Sequence, residues 1–241
     1  TPVRPRVLLN TLIAAALGAL LMTVLAFLIE YLDDTIKLPD DATRVTGLPA
    51  LGSLVQYRNG DKGRRVITAT NPQSPFSEAY RTLRTNIQFS SLDKPILALM
   101  VTSASPGEGK STTAANLAVV IAQGGKRTIL IDTDLRRPVL HQIFGLPNAV
   151  GVTTALLQPE GSDLTPFLQA TDVDNLWLMS SGPQPPNPSE LLGSHRMAEL
   201  IQELHERGDM LVFDSPPTLA VTDAAVLARQ MDGVLIVVES A

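Results

Sequence analysis

The sequence predicts an α/β fold, a mostly parallel sheet with helices on both faces, preceded by one transmembrane helix. Three observations predict it. Short apolar runs alternate with helical patterns from about Pro72 onward, a glycine-rich loop joins one of those runs to a helix, and a long uncharged stretch lies near the start. Strands that read as continuous apolar runs between helices belong to parallel sheets covered on both faces.

The uncharged stretch is "VLLNTLIAAALGALLMTVLAFLI", Val7 to Ile29. As a helix it would span roughly 34 Å, enough to cross a bilayer. It is longer than a usual signal-peptide core and no small-residue cleavage site follows it. Length and missing charge also separate it from a buried core helix. The segments expected are a stub at 1–6, a transmembrane helix at 7–30, a juxtamembrane linker at 31–71 and an α/β domain at 72–241, the sides of the membrane being left to the chemistry downstream. Arg4 and Arg6 before the span and Lys37 and Arg44 after it do not decide its orientation. The linker is acidic at first, then rich in turn residues, and its Arg58, Lys62, Arg64 and Arg65 read as solvated charge. Because the chain opens on Thr1 and stops just after the apolar run "GVLIVV", it reads as a fragment lacking sequence at both ends.

Within the domain, Ile96 to Thr102 is a strand and "STTAANLAVVIAQGG" a helix ended by Gly124 and Gly125. "RTILIDTD" is a second strand, followed by short helical pieces and the strand "NLWLMSSG", whose Trp177 reads as core. "NPSELLGSHRMAELIQELHERG" reads as one helix, with Asn187 as cap, Pro188 in the first turn, Glu190 completing a capping box and Gly208 as the stop. "DMLVFDSPP" and "GVLIVVES" are further strands, with a helix over Asp223 to Gln230 between them.

Composition excludes several functions. There is no cysteine, hence no disulfide framework, thiolate metal site or cysteine nucleophile. The net charge of −5 gives no nucleic-acid footprint. His141, His195 and His205 have no metal-ligand spacing.

The chemistry lies in "SASPGEGKSTTAANLA", Ser103 to Ala118. A glycine-rich turn between a strand and a helix amino terminus lets successive main-chain amides converge on phosphate oxygens. Gly107 and Gly109 supply the turn, Lys110 reaches the outer phosphates and the Ser111 hydroxyl is placed for Mg²⁺. Ala104 stands where the P-loop pattern has its first glycine, which is tolerable if its φ stays negative. Two other strand ends deliver acids: Asp132 and Asp134 in "ILIDTD", and Asp214 in "LVFDSPP". Carboxylates directly after apolar strands are costly to bury unless paired or metal-bound. Three of them beside a phosphate loop would supply outer ligands for Mg²⁺ and a candidate base. Caps and turns are the plain alternative.

Together, "SPGEGKST", "ILIDTDLRRP", "LVFDSPP", "PPNPSELL" and the helix "EAYRTLRTNI" resemble the bacterial tyrosine kinases of capsule and exopolysaccharide export. The division-site and plasmid-partition ATPases share the layout but carry a second loop lysine where Ser105 stands here. The hydrophobic span resembles the subset in which a chain-length-determining membrane protein, the polysaccharide co-polymerase, is fused to its kinase. The resemblance implies ATP and Mg²⁺ as cofactors. Gly107, Glu108, Gly109, Lys110, Ser111 and Thr112 would hold the phosphates. Lys110, Asp132 and Asp134 would be catalytic, with Asp132 as the base that deprotonates an incoming tyrosine. Ser111, Asp132, Asp134 and Asp214 would hold the metal and its water shell.

The same resemblance implies that Glu78, Arg81 and Arg84 join neighbouring subunits into a ring. By spacing alone they form an ion-pair ladder on one helix face. The implied partners are the bilayer, further copies of the chain and the polysaccharide polymerisation and export machinery, without nucleic acid, at the bacterial inner membrane. An ATPase switch or scaffold that phosphorylates no protein is the alternative. The family's tyrosine-rich tail is not among these residues, where only Tyr31, Tyr57 and Tyr80 occur, unclustered; it is expected beyond Ala241, a variant without it being the alternative.

Overall fold

The computed structural model of the chain describes residues 6–32, 39–55, 66–90 and 94–239. Tyr57 and the basic cluster Arg58, Lys62, Arg64 and Arg65 lie outside the described residues, as does most of the 1–6 segment.

The apolar stretch forms helix α1, Val7–Tyr31, with a mean hydropathy of 2.7 over its best window and no residue buried. It is long and apolar enough to cross a membrane, and its exposure rules out a core helix. Beyond it come α2, Pro39–Thr46, and α3, Ile67–Thr70. Composition places α3 in the linker, yet the helix is packed into the domain. Thr68 is fully buried and its amide and hydroxyl both donate to Asn116 Oδ1, at 3.1 and 2.9 Å. Leu51 and Leu54 also pack on the core, and Asn86 Nδ2 donates to Leu51 O at 2.7 Å.

Helix α4, Pro75–Ser90, buries Tyr80, Leu83 and Ile87 on one stripe. Strand β1, Ala98–Ser103, leads through the glycine loop into α5, Lys110–Gln123, which is buried along nearly its whole length. Strand β2, Thr128–Asp132, is followed by α6, Leu140–Phe144, and α7, Val152–Leu156. Then come β3, Gln169–Ala170, β4, Leu176–Met179, α8, Pro188–Leu192, and α9, His195–His205. Strand β5, Met210–Asp214, α10, Asp223–Ala228, and β6, Gly233–Val237, complete the domain.

The six strands are ordered β3-β4-β2-β5-β1-β6, parallel except for the edge pair β3–β4. Alternate side chains of each strand serve opposite faces. Leu99, Val101, Leu130 and Val212 join α4 and α5 in one core. Met100, Ile129, Ile131 and Phe213 join α7, α9 and α10 in the other.

Two local readings change. The helix expected from Asn187 to Gly208 is two helices, because Ser194 turns extended and accepts the Met197 amide as a new N-cap. The break at Gly193 lets α8 lie against α10, where a Cβ on Gly193 would approach Val226 to 2.8 Å. Asn187 caps no backbone amide; its Nδ2 donates to Glu190 Oε2 instead. Trp177, expected as core, is only half-buried, on a strand one position from the sheet edge.

Asn116 joins α3 to α5 and also braces α5 internally, its Nδ2 donating to Thr112 O at 2.9 Å. Its replacement strands the buried donors of Thr68, which costs about 1–3 kcal/mol. Asn116→Ala is therefore expected to lower the unfolding free energy by that amount, seen as a lower urea midpoint at unchanged slope. An unmoved midpoint would mean that α3 is not part of the cooperative unit.

Candidate active site

The carboxyl ends of β1, β5 and β2 are adjacent, so the glycine loop, Asp214 and Asp132 meet at one edge of the sheet. This is where open α/β sheets bind ligands. Gly107 and Gly109 have φ of +96° and +83°, left-handed values that favour glycine. Ala104 keeps a negative φ, as its replacement of glycine requires. Helix α5 starts on Gly109 with no side-chain cap, so its first amides remain free for an anion. The Glu108 side chain turns back into the loop, its Oε2 accepting from the amides of Ala104 and Ser105 at 3.0 and 3.1 Å. It braces the cradle, a task its sequence position does not reveal.

Lys110 is the hub. Its Nζ donates to Asp134 Oδ2 at 2.8 Å and to Ser111 Oγ at 3.2 Å, and lies 3.7 Å from Asp214 Oδ1. Burial works to lower its pKa, but Asp214, Asp134 and Asp132 together hold it above the ordinary lysine value. Asp132 and Asp214 are register partners on neighbouring strands and both are fully buried. Thr133 straps the two strand ends together, donating its amide and hydroxyl to Asp214 O at 2.8 and 2.6 Å.

Burial, reinforced by the Asp214 charge, pushes Asp132 well above the carboxylate range, against the Leu140 amide that donates to its Oδ2 at 3.1 Å. Burial pushes Asp214 up to about 6, against the Lys110 ammonium. Asp132 Oδ1 and both Asp214 oxygens have no hydrogen-bond partner among the described residues. Asp134 also accepts the Arg137 amide at 3.0 Å.

The buried carboxylate oxygens of Asp132 and Asp214, beside the Ser111 hydroxyl and with only the Lys110 ammonium near Asp214, are the hard oxygen donors that suit Mg²⁺. Among the described residues no three acidic or histidine side chains stand close enough to chelate an ion directly. The set therefore suits an ion that keeps most of its waters.

The structure divides the arginines. Arg136 is committed to fully buried Asp223, with Nε–Oδ2 at 2.8 Å, and Ser189 hydrogen-bonds the same carboxylate. Arg137 is exposed beside Asp134 and makes no side-chain ion pair among the described residues. On α4, Arg81 pairs with Glu78 at 2.9 Å on the surface. Arg84 instead turns inward, its Nη1 donating to Val120 O at 2.6 Å.

A glycine cradle at a helix start, a buried lysine and acids on the two neighbouring strand ends define a P-loop nucleotide-binding domain. In agreement, residues 99–226 match the family described as the CobQ/CobB/MinD/ParA nucleotide binding domain. The chain is 50% identical over 188 residues to tyrosine-protein kinase YwqD of Bacillus subtilis, covering 78% of each chain. It is 36% identical over 246 residues to the putative tyrosine-protein kinase EpsB of Ralstonia nicotianae, a match that takes in 98% of this chain and 32% of that one. Among solved structures, the chimerical protein CapA2B2 superposes with a TM-score of 0.75 at 38% identity, over 83% of this chain and 84% of that one. The kinase domain of the Escherichia coli tyrosine kinase ETK gives 0.75 at 31% identity, over 84% and 82%. The chain belongs to the bacterial tyrosine-protein kinases built on this nucleotide-binding fold.

The pKa of Asp214 sets a pH dependence. An unfolded aspartate titrates near 3.9, so between about pH 4 and 6 the folded chain holds a proton that the unfolded chain has lost. Stability should thus fall as pH rises through that window, by roughly 2–3 kcal/mol. Denaturant titrations of the nucleotide-free protein at pH 4 and pH 8 read this difference, which Asp214→Asn should reduce. A profile equally flat in both proteins would contradict the assignment.

Proposed function

We propose that the chain is the membrane-anchored, cytoplasm-facing catalytic end of an ATP- and Mg²⁺-dependent protein-tyrosine kinase that regulates capsular or exopolysaccharide chain length and export. The observation that carries this reading is the buried group of Lys110, Asp132, Asp134 and Asp214 at the mouth of the glycine loop. The amides of Gly107 to Thr112 hold the phosphates, and Lys110 exchanges part of its carboxylate contact for the outer phosphate oxygens. Mg²⁺, when bound with the nucleotide, neutralises charge on those oxygens; Ser111, Asp132, Asp134 and Asp214 hold it and its waters.

Asp132 then receives the proton of a tyrosine hydroxyl. The new bond runs from the tyrosine oxygen to the γ-phosphorus, the β–γ bridging bond breaks, and ADP leaves. Tyrosine, with a pKa of about 10, needs such a base close by. A buried carboxylate whose pKa is pushed well up is a stronger base than a solvated one.

ATP resides in the cytoplasm, so the domain faces it and α1 anchors it to the inner membrane. The match to EpsB across 98% of this chain takes in α1 and supports the fused layout. Glu78 and Arg81, outward on α4, are suited to join copies of the chain into a ring.

The acceptor tyrosine comes from a segment other than α4. Tyr80 is 2% exposed, and burial pushes its hydroxyl up to about 12. That buried tyrosine is also the observation favouring the second reading, an ATPase switch without protein phosphorylation.

Labelled ATP separates the two. The kinase reading expects label on tyrosine, reduced about 10²–10⁴-fold in Asp132→Asn. Free phosphate with unlabelled protein supports the switch.

A further inference from the structure

Arg84 occupies the third place of the Glu78, Arg81, Arg84 spacing, but it does not share their surface. Its guanidinium crosses to helix α5 and donates to Val120 O in the last turn of that helix. The same carbonyl already accepts the Gly124 amide at 3.2 Å, so the arginine adds a cationic cap where the helix dipole favours one. Gly124 is part of the device. Its φ is −76°, a value any residue adopts, whereas the left-handed residue at this helix end is Gly125, at +88°. A Cβ on Gly124 would instead stand 2.7 Å from Arg84 Nη1. The absence of a side chain at 124 therefore makes room for the guanidinium.

Four residues earlier on α4, the buried side chain of Tyr80 lies in the core that α4 shares with α5. Helix α4 thus holds α5 by core packing as well as through Arg84, and the held helix carries Lys110 and Ser111 at its amino terminus. Fourteen residues at 1.5 Å each make α5 about 21 Å long, and a packed helix moves as a unit. Freeing its carboxyl end therefore tilts the amides and the lysine that face the phosphates.

We infer that Arg84 is a positioning residue of the nucleotide site, which sets the seat of the phosphate-binding helix by fastening its far end to α4. The inference rests on the nucleotide-site reading above. It also makes α4 a lever, because outward contacts at Glu78 and Arg81 bear on the same helix that Arg84 ties to α5.

The test measures binding of a fluorescent ATP analogue with Mg²⁺ to the full chain in detergent, at dilutions where light scattering reports monomers. Arg84→Ala should weaken affinity about fivefold or more. Gly124→Ala, which crowds the guanidinium without removing it, should shift affinity in the same direction, and Arg84→Lys should recover most of the loss. Melting temperatures are recorded in parallel, since a purely structural role lowers them without changing the affinity of the folded protein. Parental affinity in both Arg84→Ala and Gly124→Ala overturns the inference while leaving the nucleotide site intact. Failure of the unaltered chain to bind sinks the site and the tie together.

Discussion

Everything at the sheet edge depends on one buried cation. The ammonium of Lys110 lies among three carboxylates, within hydrogen-bond reach of Asp134 and close to Asp214. If all four groups were ionised the cluster would carry two net negative charges in a place where water cannot screen them. Burial first, and the neighbouring carboxylates second, raise the pKa values of Asp132 and Asp214, since taking up protons removes charge from a place that water does not reach. A cation arriving with a nucleotide does the same without a proton. The site therefore favours an added positive charge, near Asp132 Oδ1 and the Asp214 oxygens, which accept no hydrogen bond among the described residues.

Such a cluster needs a stiff frame, because a buried charge separated from its partner loses several kcal/mol. The frame is backbone first: β2 and β5 pair in register so that Asp132 stands opposite Asp214, and Thr133 locks their ends. Helix α5 is held from outside by α3 through Asn116 and by α4 through Arg84. The loop is held from within by Glu108. The protein thus surrounds a charged centre with polar ties from four different elements, and leaves the glycines to do only what their dihedral angles require.

Much of this was legible in the sequence, for physical reasons. Apolar strands ending in aspartate, and glycines before a lysine and a helix, have few structural solutions, so β1, β2, β5, α5 and the placing of Lys110, Asp132, Asp134 and Asp214 follow from local pattern. What the pattern hides is direction. Arg81 and Arg84 are alike in the helical repeat, yet one faces solvent and the other a carbonyl on a helix 36 residues away. Arg136 and Arg137 are adjacent, and only the folded chain shows that Asp223 claims the first. The break at Gly193 and Ser194 escaped for a related reason. A capping serine inside a good helical pattern becomes decisive only when α10 requires α8 to lie against it.

The inward contact of Arg84 changes how the proposed self-association bears on chemistry. If all three residues of the spacing faced a neighbour, assembly would be a matter of surface contact, remote from the phosphates. With Arg84 turned inward, the same helix presents Glu78 and Arg81 to the outside and grips α5 on the inside. A contact between copies then acts on α4, and α4 on the seat of Lys110, without any intervening loop. On the proposed reading the membrane adds the remaining ingredient. Copies held in one plane by α1 meet at a raised effective concentration, and the only tyrosine on α4 is locked away at the α5 interface. An acceptor must therefore come from elsewhere, and a neighbour tethered to the same surface is the nearest source. Assembly would thus supply the acceptor and adjust the donor site through one helix.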